Sequence, residues 1–563
     1  MISNPSPTYG TDFLGAVINI ITKLKTEEFI KGSLGSTAGI KNNYWALNPT
    51  FSYKRGRFIV KTNFSYKEYT QQIDYFINRI ENNNVFFQKN INNSEGVQKY
   101  SQTRLNIKLS EKSNINFSNS LFGYKFIGNA NGFSTSNNIN PVDFLKKGEE
   151  SNVNWNIASV YKYKINDNKS LYIKSKYYQY SDINKFLIID NVGSNYFDIE
   201  SKNKEFSGTI DYEAEELVIL KKKSSFYSGL KYINRNFSFS NTDFNINQDI
   251  INGNGELDTE WSEKFSTEIA FALENTKNYN TILNKNYTLF LPTANILYHF
   301  GNKIDTKLGY SRKILRPDAD DLNDNLIILY PGLARQGNSN LNAQKRDYYS
   351  FVISKVFKAD NVSLKIYNES INNAIVETYK SQGSLLIKTL DNAAKYNSAG
   401  MSLGFRTKLF KKINTNLNSG FDYNVFEDNS KSSIIKNNSG YTFRGNLSIS
   451  TKLFKDKVAI SFSGRQNGPE YSLLSKRINK TYLDLTISTN LFKDKLNLSL
   501  YGKGLLGNAA NGFVDISNYN NFYQKIETKN NSSNLLLTLT YNFGKKFNDK
   551  IDDNNIENND VRR

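Results

Sequence analysis

Much of the chain alternates between apolar and polar residues. In Asn446–Leu453, Leu447, Ile449, Thr451 and Leu453 point one way, and Asn446, Ser448, Ser450 and Lys452 the other. After a short turn, Val458, Ile460 and Phe462 alternate with Ala459, Ser461 and Ser463. In the next segment Leu483, Leu485, Ile487, Thr489 and Leu491 oppose Tyr482, Asp484, Thr486, Ser488 and Asn490. Leu496, Leu498 and Leu500 then oppose Asn497, Ser499 and Tyr501. A final apolar face is formed by Leu535, Leu537, Leu539, Tyr541 and Phe543. A period of two predicts strands with one dry face and one wet face. None of these apolar-face positions is charged.

The turns between the strands repeat as well. Residues 451–461 read TKLFKDKVAIS and residues 489–499 read TNLFKDKLNLS, so the phrase Leu-Phe-Lys-Asp-Lys returns after 38 residues. Related turns follow Phe357 and Phe410, and further hairpins read KLSEKSNINF (108–117), YKINDNKSLYIK (163–174) and LYHFGNKIDTKLGY (297–310). The Phe positions lie 53, 44 and 38 residues apart, which is not the fixed period of a propeller. The opposite connections, Lys313 to Arg346, Glu427 to Ser439 and Asn467 to Lys480, are long and polar. Short turns on one edge and long loops on the other predict an all-β fold: a large antiparallel transmembrane β-barrel with short periplasmic turns and long extracellular loops. At roughly 25 residues per strand and connection, about 22 strands are expected.

Composition supports this reading. Hydrophobic residues are only 38% of the 563, yet aromatics reach 14%, with 36 Tyr and 38 Phe. A barrel with an apolar outside and a wet inside has that balance, whereas disordered chains are poor in aromatics. No window approaches the roughly 18 apolar residues of a spanning helix. The absence of Cys removes disulfide and thiolate chemistry. The formal charge of +19 is spread over Lys- and Asn-rich loops and clusters on no nucleic-acid module. Cationic loops suit an anionic lipid surface. The start, MISNPSPTYG, shows no basic segment followed by an apolar one, so a signal peptide is expected to have been removed or to lie upstream.

Three segments carry a resemblance. YGTDFLGAVINIITKLK (9–25) resembles the end of the plug domain of TonB-dependent receptors. Gly15, Val17, Ile18, Asn19, Ile20, Ile21, Thr22 and Lys23 fit that plug-to-barrel junction, and Ala16 stands where a second Gly is common. Residues 310–323 and 337–341 resemble a stretch of the outer-membrane β-barrel family of such receptors. Tyr310, Ser311, Arg312, Arg316, Pro317, Asp321, Leu322, Asn323, Gly337, Asn338, Asn340 and Leu341 fit, with Ser339 in place of Pro. LTLTYNFGKK (537–546) is similar to the family's closing strand. The resemblance implies a plug remnant over 1–25, a barrel over 26–543 and a polar tail over 544–563. It implies uptake of a scarce nutrient such as an iron chelate, cobalamin, a glycan or a peptide. Implied partners are outer-membrane lipid and lipopolysaccharide, the barrel assembly machinery, a surface lipoprotein, and TonB if a plug is supplied. A passive pore and a structural or adhesive surface barrel are the alternatives.

Few residues suggest chemistry. His299 is the only His and is expected beside the periplasmic turn at Gly301 and Asn302, where it can complete neither a His-rich zinc site nor a catalytic pair at the outer rim. No catalytic residue, metal site or cofactor is expected. Asp318, Asp320 and Asp321 form the ligand-binding candidates: carboxylates in an outer loop, able with water to hold Ca²⁺ or to remain solvated. NGNGELD (252–258) is too irregular for an EF-hand loop. Tyr482, Tyr501 and Tyr541, near strand ends, are expected in interfacial girdles.

Overall fold

The computed structural model describes residues 28–544, apart from 41–42, 82, 138–140, 192, 241–243, 281–282, 331–332, 358–359, 383–384, 430–436, 480, 507–511, 520–521 and 531–532. The 9–25 junction motif and the tail beyond 544 lie outside the described residues. The chain forms one antiparallel sheet that closes on itself through 22 wall strands. Each wall strand pairs with its neighbour in sequence, and the first, Phe29–Gly39, pairs with the last, Asn534–Gly544. That seam runs from Lys31 opposite Gly544 to Gly39 opposite Leu536. Closure leaves no wall strand with an unpaired edge, which is what a sheet needs in hydrocarbon.

The predicted hairpins form where the alternation breaks. Asn438–Leu453 turns into Val458–Asn467, and Tyr482–Leu491 turns into Leu496–Lys503. The repeated phrase folds the same way twice. Phe454, Lys455 and Asp456 have φ of 53, 57 and 66°, and Phe492, Lys493 and Asp494 have the same three values. Left-handed turns of this kind match the twist of the flanking strands. Phe410, Phe454 and Phe492 stand at such turn tips and are 86%, 73% and 74% exposed. An exposed ring beside lysines at the barrel rim suits the boundary between acyl chains and water.

The apolar positions line up around the outside. Thr451, Ile460, Ile487, Leu500, Leu537 and Ala38 are successive cross-strand partners over six wall strands. Towards the outer edge this band ends in outward-facing aromatic pairs, Trp155 with Tyr177, Tyr310 with Tyr349 and Phe421 with Tyr441. Beyond them the outward face is charged: Lys125 pairs with Glu149, Lys185 with Asp198 and Lys202 with Glu200.

Two expectations need correction. The outer connections are not uniformly long loops. Phe58–Glu81, Asn84–Lys108, Ser113–Ser136, Val142–Asn166, Lys169–Asp190 and Ser194–Ile219 run 22–26 residues each and meet at their outer ends in short connections. A tilted strand crosses the bilayer in about 9–11 residues, so these hairpins rise well beyond it. Among the described residues, three outer connections, 316–343, 468–481 and 504–533, are long and hold short elements of their own, and most of the expected 427–439 connection lies outside the described residues. The second correction concerns Tyr482 and Tyr501. Both belong to the lumen face. Tyr501 donates a hydrogen bond to Asp484 Oδ2 (3.0 Å), and Tyr482 lines a polar recess with Asp484, Arg465 and Lys503. Tyr482 lies two residues from Asp484, and Tyr501 is the cross-strand partner of Thr486 on that same face, so register and not proximity to a strand end fixes where they point. Tyr541 does face outward and is 49% exposed.

Leu500→Arg, mid-band on the lipid face, is expected to cost about 2–4 kcal/mol, and Ser499→Arg on the lumen face much less. Guanidinium unfolding of the two variants in lipid vesicles measures the difference.

Candidate functional site

The connection 316–343 does not stand out in water. It folds over the outer half of the lumen and touches five strands of the wall. Arg316 starts it, with its guanidinium on the buried Glu274 carboxylate of strand Phe265–Tyr279. Further along, Leu333–Arg335 pairs in parallel with Leu386–Lys388 of strand Leu385–Leu409. On the far side, Lys146 Nζ of strand Val142–Asn166 donates to the Leu329 carbonyl at 3.4 Å. The same ammonium lies 4.1 Å from the centre of the Phe186 ring. Leu322 and Leu341 are buried in one cluster with Ile246 of strand Asn245–Ser262, so the connection has its own small core against the wall.

The residues that fit the family pattern build this connection. Asp318 precedes a single helical turn, Ala319–Leu322, and forms a reciprocal cap with Asp321. The Asp318 N–H donates to Asp321 Oδ2 (3.2 Å), and Arg335 Nη2 lies 3.5 Å from Asp321 Oδ1. Gly337 packs where a Cβ would sit 2.4 Å from the Asn323 carbonyl oxygen and 2.7 Å from that of Asp321, so only glycine fits without a shift. Asn338 donates from its backbone N–H to the Asp321 carbonyl (2.6 Å) and from its side chain to the Leu390 carbonyl (3.0 Å). Ser339, standing where Pro is usual, donates its N–H to Asp324 Oδ1 (2.7 Å), a bond that proline cannot make. Lys285 of strand Asn284–Phe300 places one ammonium within 2.8–3.4 Å of the carbonyls of Ser339, Asn340 and Leu341. Burial lowers the pKa of that ammonium.

Of the three candidate aspartates, Asp318 and Asp321 are therefore bound up in the loop's own frame, and Asp320 is left towards the vestibule. Solvent reaches Asp320, yet the surrounding wall crowds it. That crowding pushes its pKa up, with Asp321 adding to the shift and Arg335 opposing it. Facing it across the lumen are Tyr180 and Asp182 of strand Lys169–Asp190 and Glu150 of Val142–Asn166. These lie level with outward-facing Lys125, outside the lipid band. Asp182 is pushed up to about 6, first by burial, then by Glu150 and Asp320, against a hydrogen bond from Tyr180. Sequence reading passed over Glu150 and Asp182. Their signal was available as carboxylates on the polar face of alternating strands, but nothing local marks which of many such residues meet.

Below this level the wall carries its own polar ladder. Arg235 Nε donates to Glu205 Oε2 (2.7 Å), Arg235 Nη1 to Gln248 Oε1 (2.9 Å), and Gln248 Nε2 to Asn278 Oδ1 (2.8 Å). His299 lies at the turn edge with Nδ1 2.8 Å from Asp305 Oδ1, its partner across the hairpin. Residues 252–258 are part of strand Asn245–Ser262. Among the described residues, no group of three or more His, Asp or Glu side chains is arranged to hold a metal ion.

With this geometry in place, the comparisons fall on the same ground. The sequence model of the outer membrane protein beta-barrel family matches residues 143–541. The chain belongs to that family. The outer membrane protein beta-barrel family accounts for the wall and for the 316–343 connection, both of which lie largely within the match, and it places the chain in the bacterial outer membrane. The fold is shared with solved receptors. The siderophore receptor PirA from Pseudomonas aeruginosa is 12% identical with a TM-score of 0.64, over 96% of this chain and 85% of that one. The FrpB iron transporter from Neisseria meningitidis is 10% identical with a TM-score of 0.63, over 92% and 82%. P. aeruginosa FpvA, solved bound to heterologous pyoverdines, is 11% identical with a TM-score of 0.64, over 95% and 74%. No curated protein sequence matches.

Gly337→Ala is expected to loosen the connection by about 1–3 kcal/mol through overpacking. Hydrogen exchange should then rise at amides of 316–343 and stay unchanged in the wall strands.

Proposed function

We propose that this chain is the barrel of an outer-membrane receptor of the TonB-dependent type, which takes up a scarce nutrient. The observation that carries the reading is the 316–343 connection. A plain diffusion pore needs an open mouth, whereas here a pinned connection narrows the outer half of the lumen and presents a chemically distinct vestibule. The likeness to receptor barrels and the junction motif at Gly15, Val17, Asn19, Ile21, Thr22 and Lys23 support it. On this reading residues 1–25 are the end of a plug, 26–543 the barrel and 544–563 a polar tail. TonB acts through a plug, and the assembly machinery, lipopolysaccharide and a surface lipoprotein are further partners. An iron chelate, cobalamin, a glycan and a peptide are the candidate cargoes. Transport, and not catalysis, is the role of the lumen groups. The lone His pairs with Asp305 at the turn edge, away from the vestibule.

The test is uptake under an intact and a collapsed proton gradient, in cells whose only receptor of this type is the protein expressed from its complete reading frame. Energised uptake of a labelled nutrient should fall to background when a protonophore is added. Uptake that persists unchanged, together with permeability to bulky solutes, would establish a passive pore instead.

A further inference from the structure

One face of the vestibule is rich in acceptors in a chain of formal charge +19. Strand register sets Tyr124, Asn152 and Asp182 abreast on the lumen side. Glu150 lies one inward position further out, diagonal to Asp182, a separation at which side chains meet. Asp320 comes down on this group from the 316–343 connection, where it bears electrostatically on both Tyr180 and Asp182. Asn152 is only 6% exposed, and its Oδ1 accepts no hydrogen bond from the protein. Oδ1 of Asp182 is also buried and accepts none. A buried acceptor left without a donor carries a desolvation cost that a ligand's N–H can relieve.

Two positive charges lie nearby, each partly committed to other partners and each also bearing on the group, Lys146 on Glu150 and Arg335 on Asp320. Lys146 holds the Leu329 carbonyl and the Phe186 ring, and Arg335 faces Asp321. Beside the carboxylates runs a strip of rings. Phe122 and Tyr124 lie 6.2 Å apart, Tyr124 and Phe126 5.0 Å, and Phe126 and Tyr69 5.6 Å, and the Tyr124 hydroxyl donates to Glu150. No set of these carboxylates is arranged around a metal ion. Diverging acceptors beside ring faces instead suit a larger cation with several N–H donors and a flat or methylene-rich body.

We propose that Glu150, Asn152, Asp182 and Asp320 form a binding site for the ammonium or guanidinium group of an organic cation entering the vestibule. The carboxylates and the Asn152 carbonyl oxygen accept its N–H groups, and the Tyr124 and Phe126 rings flank its carbon skeleton. The site deepens the receptor reading by giving its cargo a basic group, but binding itself does not depend on transport. The affinity has a pH sense. Asp182 and Asp320 both have raised pKa values, Asp182 to about 6. The Asp182 charge, and with it cation binding, is present above about 6 and is lost as pH falls through that value, and Asp320 shifts in the same direction. The groups around Asp182 are Glu150 and Lys146 from the adjacent strand Val142–Asn166, Tyr124 from the strand beyond it, Tyr180 from its own, and Asp320 from the connection, itself flanked by Asp321 and Arg335.

Isothermal titration of agmatine into the purified full chain in detergent tests this, with citrate as the anionic control. Saturable agmatine binding is expected at about pH 8. It should weaken at least about tenfold in the Asp182→Asn/Asp320→Asn variant, the change set by losing one or two charge-assisted bonds. The wild-type chain should lose affinity similarly at about pH 5, which tests the site without any substitution. No saturable agmatine binding at pH 8, equal binding by the double variant, or preference for citrate would overturn the proposal. The titration involves no transport, so a failure of uptake in cells bears on the receptor reading alone.

Discussion

The structure depends on one constraint: within hydrocarbon, every backbone N–H and C=O of a strand must find a partner in another strand. The seam between Phe29–Gly39 and Asn534–Gly544 meets it by joining the two ends of the described chain. Side chains reinforce the join, with Thr37 Oγ1 and Thr538 Oγ1 2.9 Å apart on the lumen side. Once the sheet is closed, the alternation of side chains follows. One face must be apolar throughout, and the other is free to be polar. That freedom lets a chain with 38% hydrophobic residues occupy a membrane.

The wet face is where function can reside, because the wall is only one strand thick. Lumen side chains have two options: to pair among themselves or to meet something that enters. The Glu205, Arg235, Gln248 and Asn278 ladder takes the first option and is closed. The Glu150, Asn152 and Asp182 group takes the second, since it keeps buried acceptors without donors. The 316–343 connection separates these roles. Its frame residues fix it across the lumen, and Asp320 is turned towards the open group.

The wall was legible from residue order because strand geometry is local. The period of two named the lipid face at Leu447, Leu485, Leu500 and Leu539, and the break at each Leu-Phe-Lys turn named the hairpin. The site was harder to read. Asp318, Asp320 and Asp321 look equivalent in sequence. Only the fold shows that the first and third are spent on a helical cap and an ion pair, because their partners Arg335 and Asn338 come from the connection's return. Lys285 lies more than fifty residues from the carbonyls that it holds. Glu150 and Asp182 meet through the register of neighbouring strands, and Asp320 joins them because the 316–343 connection folds inward, neither of which a local pattern encodes. Tyr501 shows that parity with Asn497 and Ser499 on its own strand outweighs strand-end position. The tall outer hairpins were misread because polar alternation continues a strand as readily as it begins a loop.

Closure can be tested at the seam itself. The chain has no native cysteine, so a Thr37→Cys/Thr538→Cys pair is the only thiol pair present. These positions are directly opposed and already in side-chain contact, which is the geometry a disulfide needs. In outer membranes treated with a mild oxidant, near-complete cross-linking of the first and last strands is the expected result, read as a reducible shift in gel mobility. Folded, membrane-inserted protein with both thiols free and no cross-link would contradict the closed barrel on which the account is built.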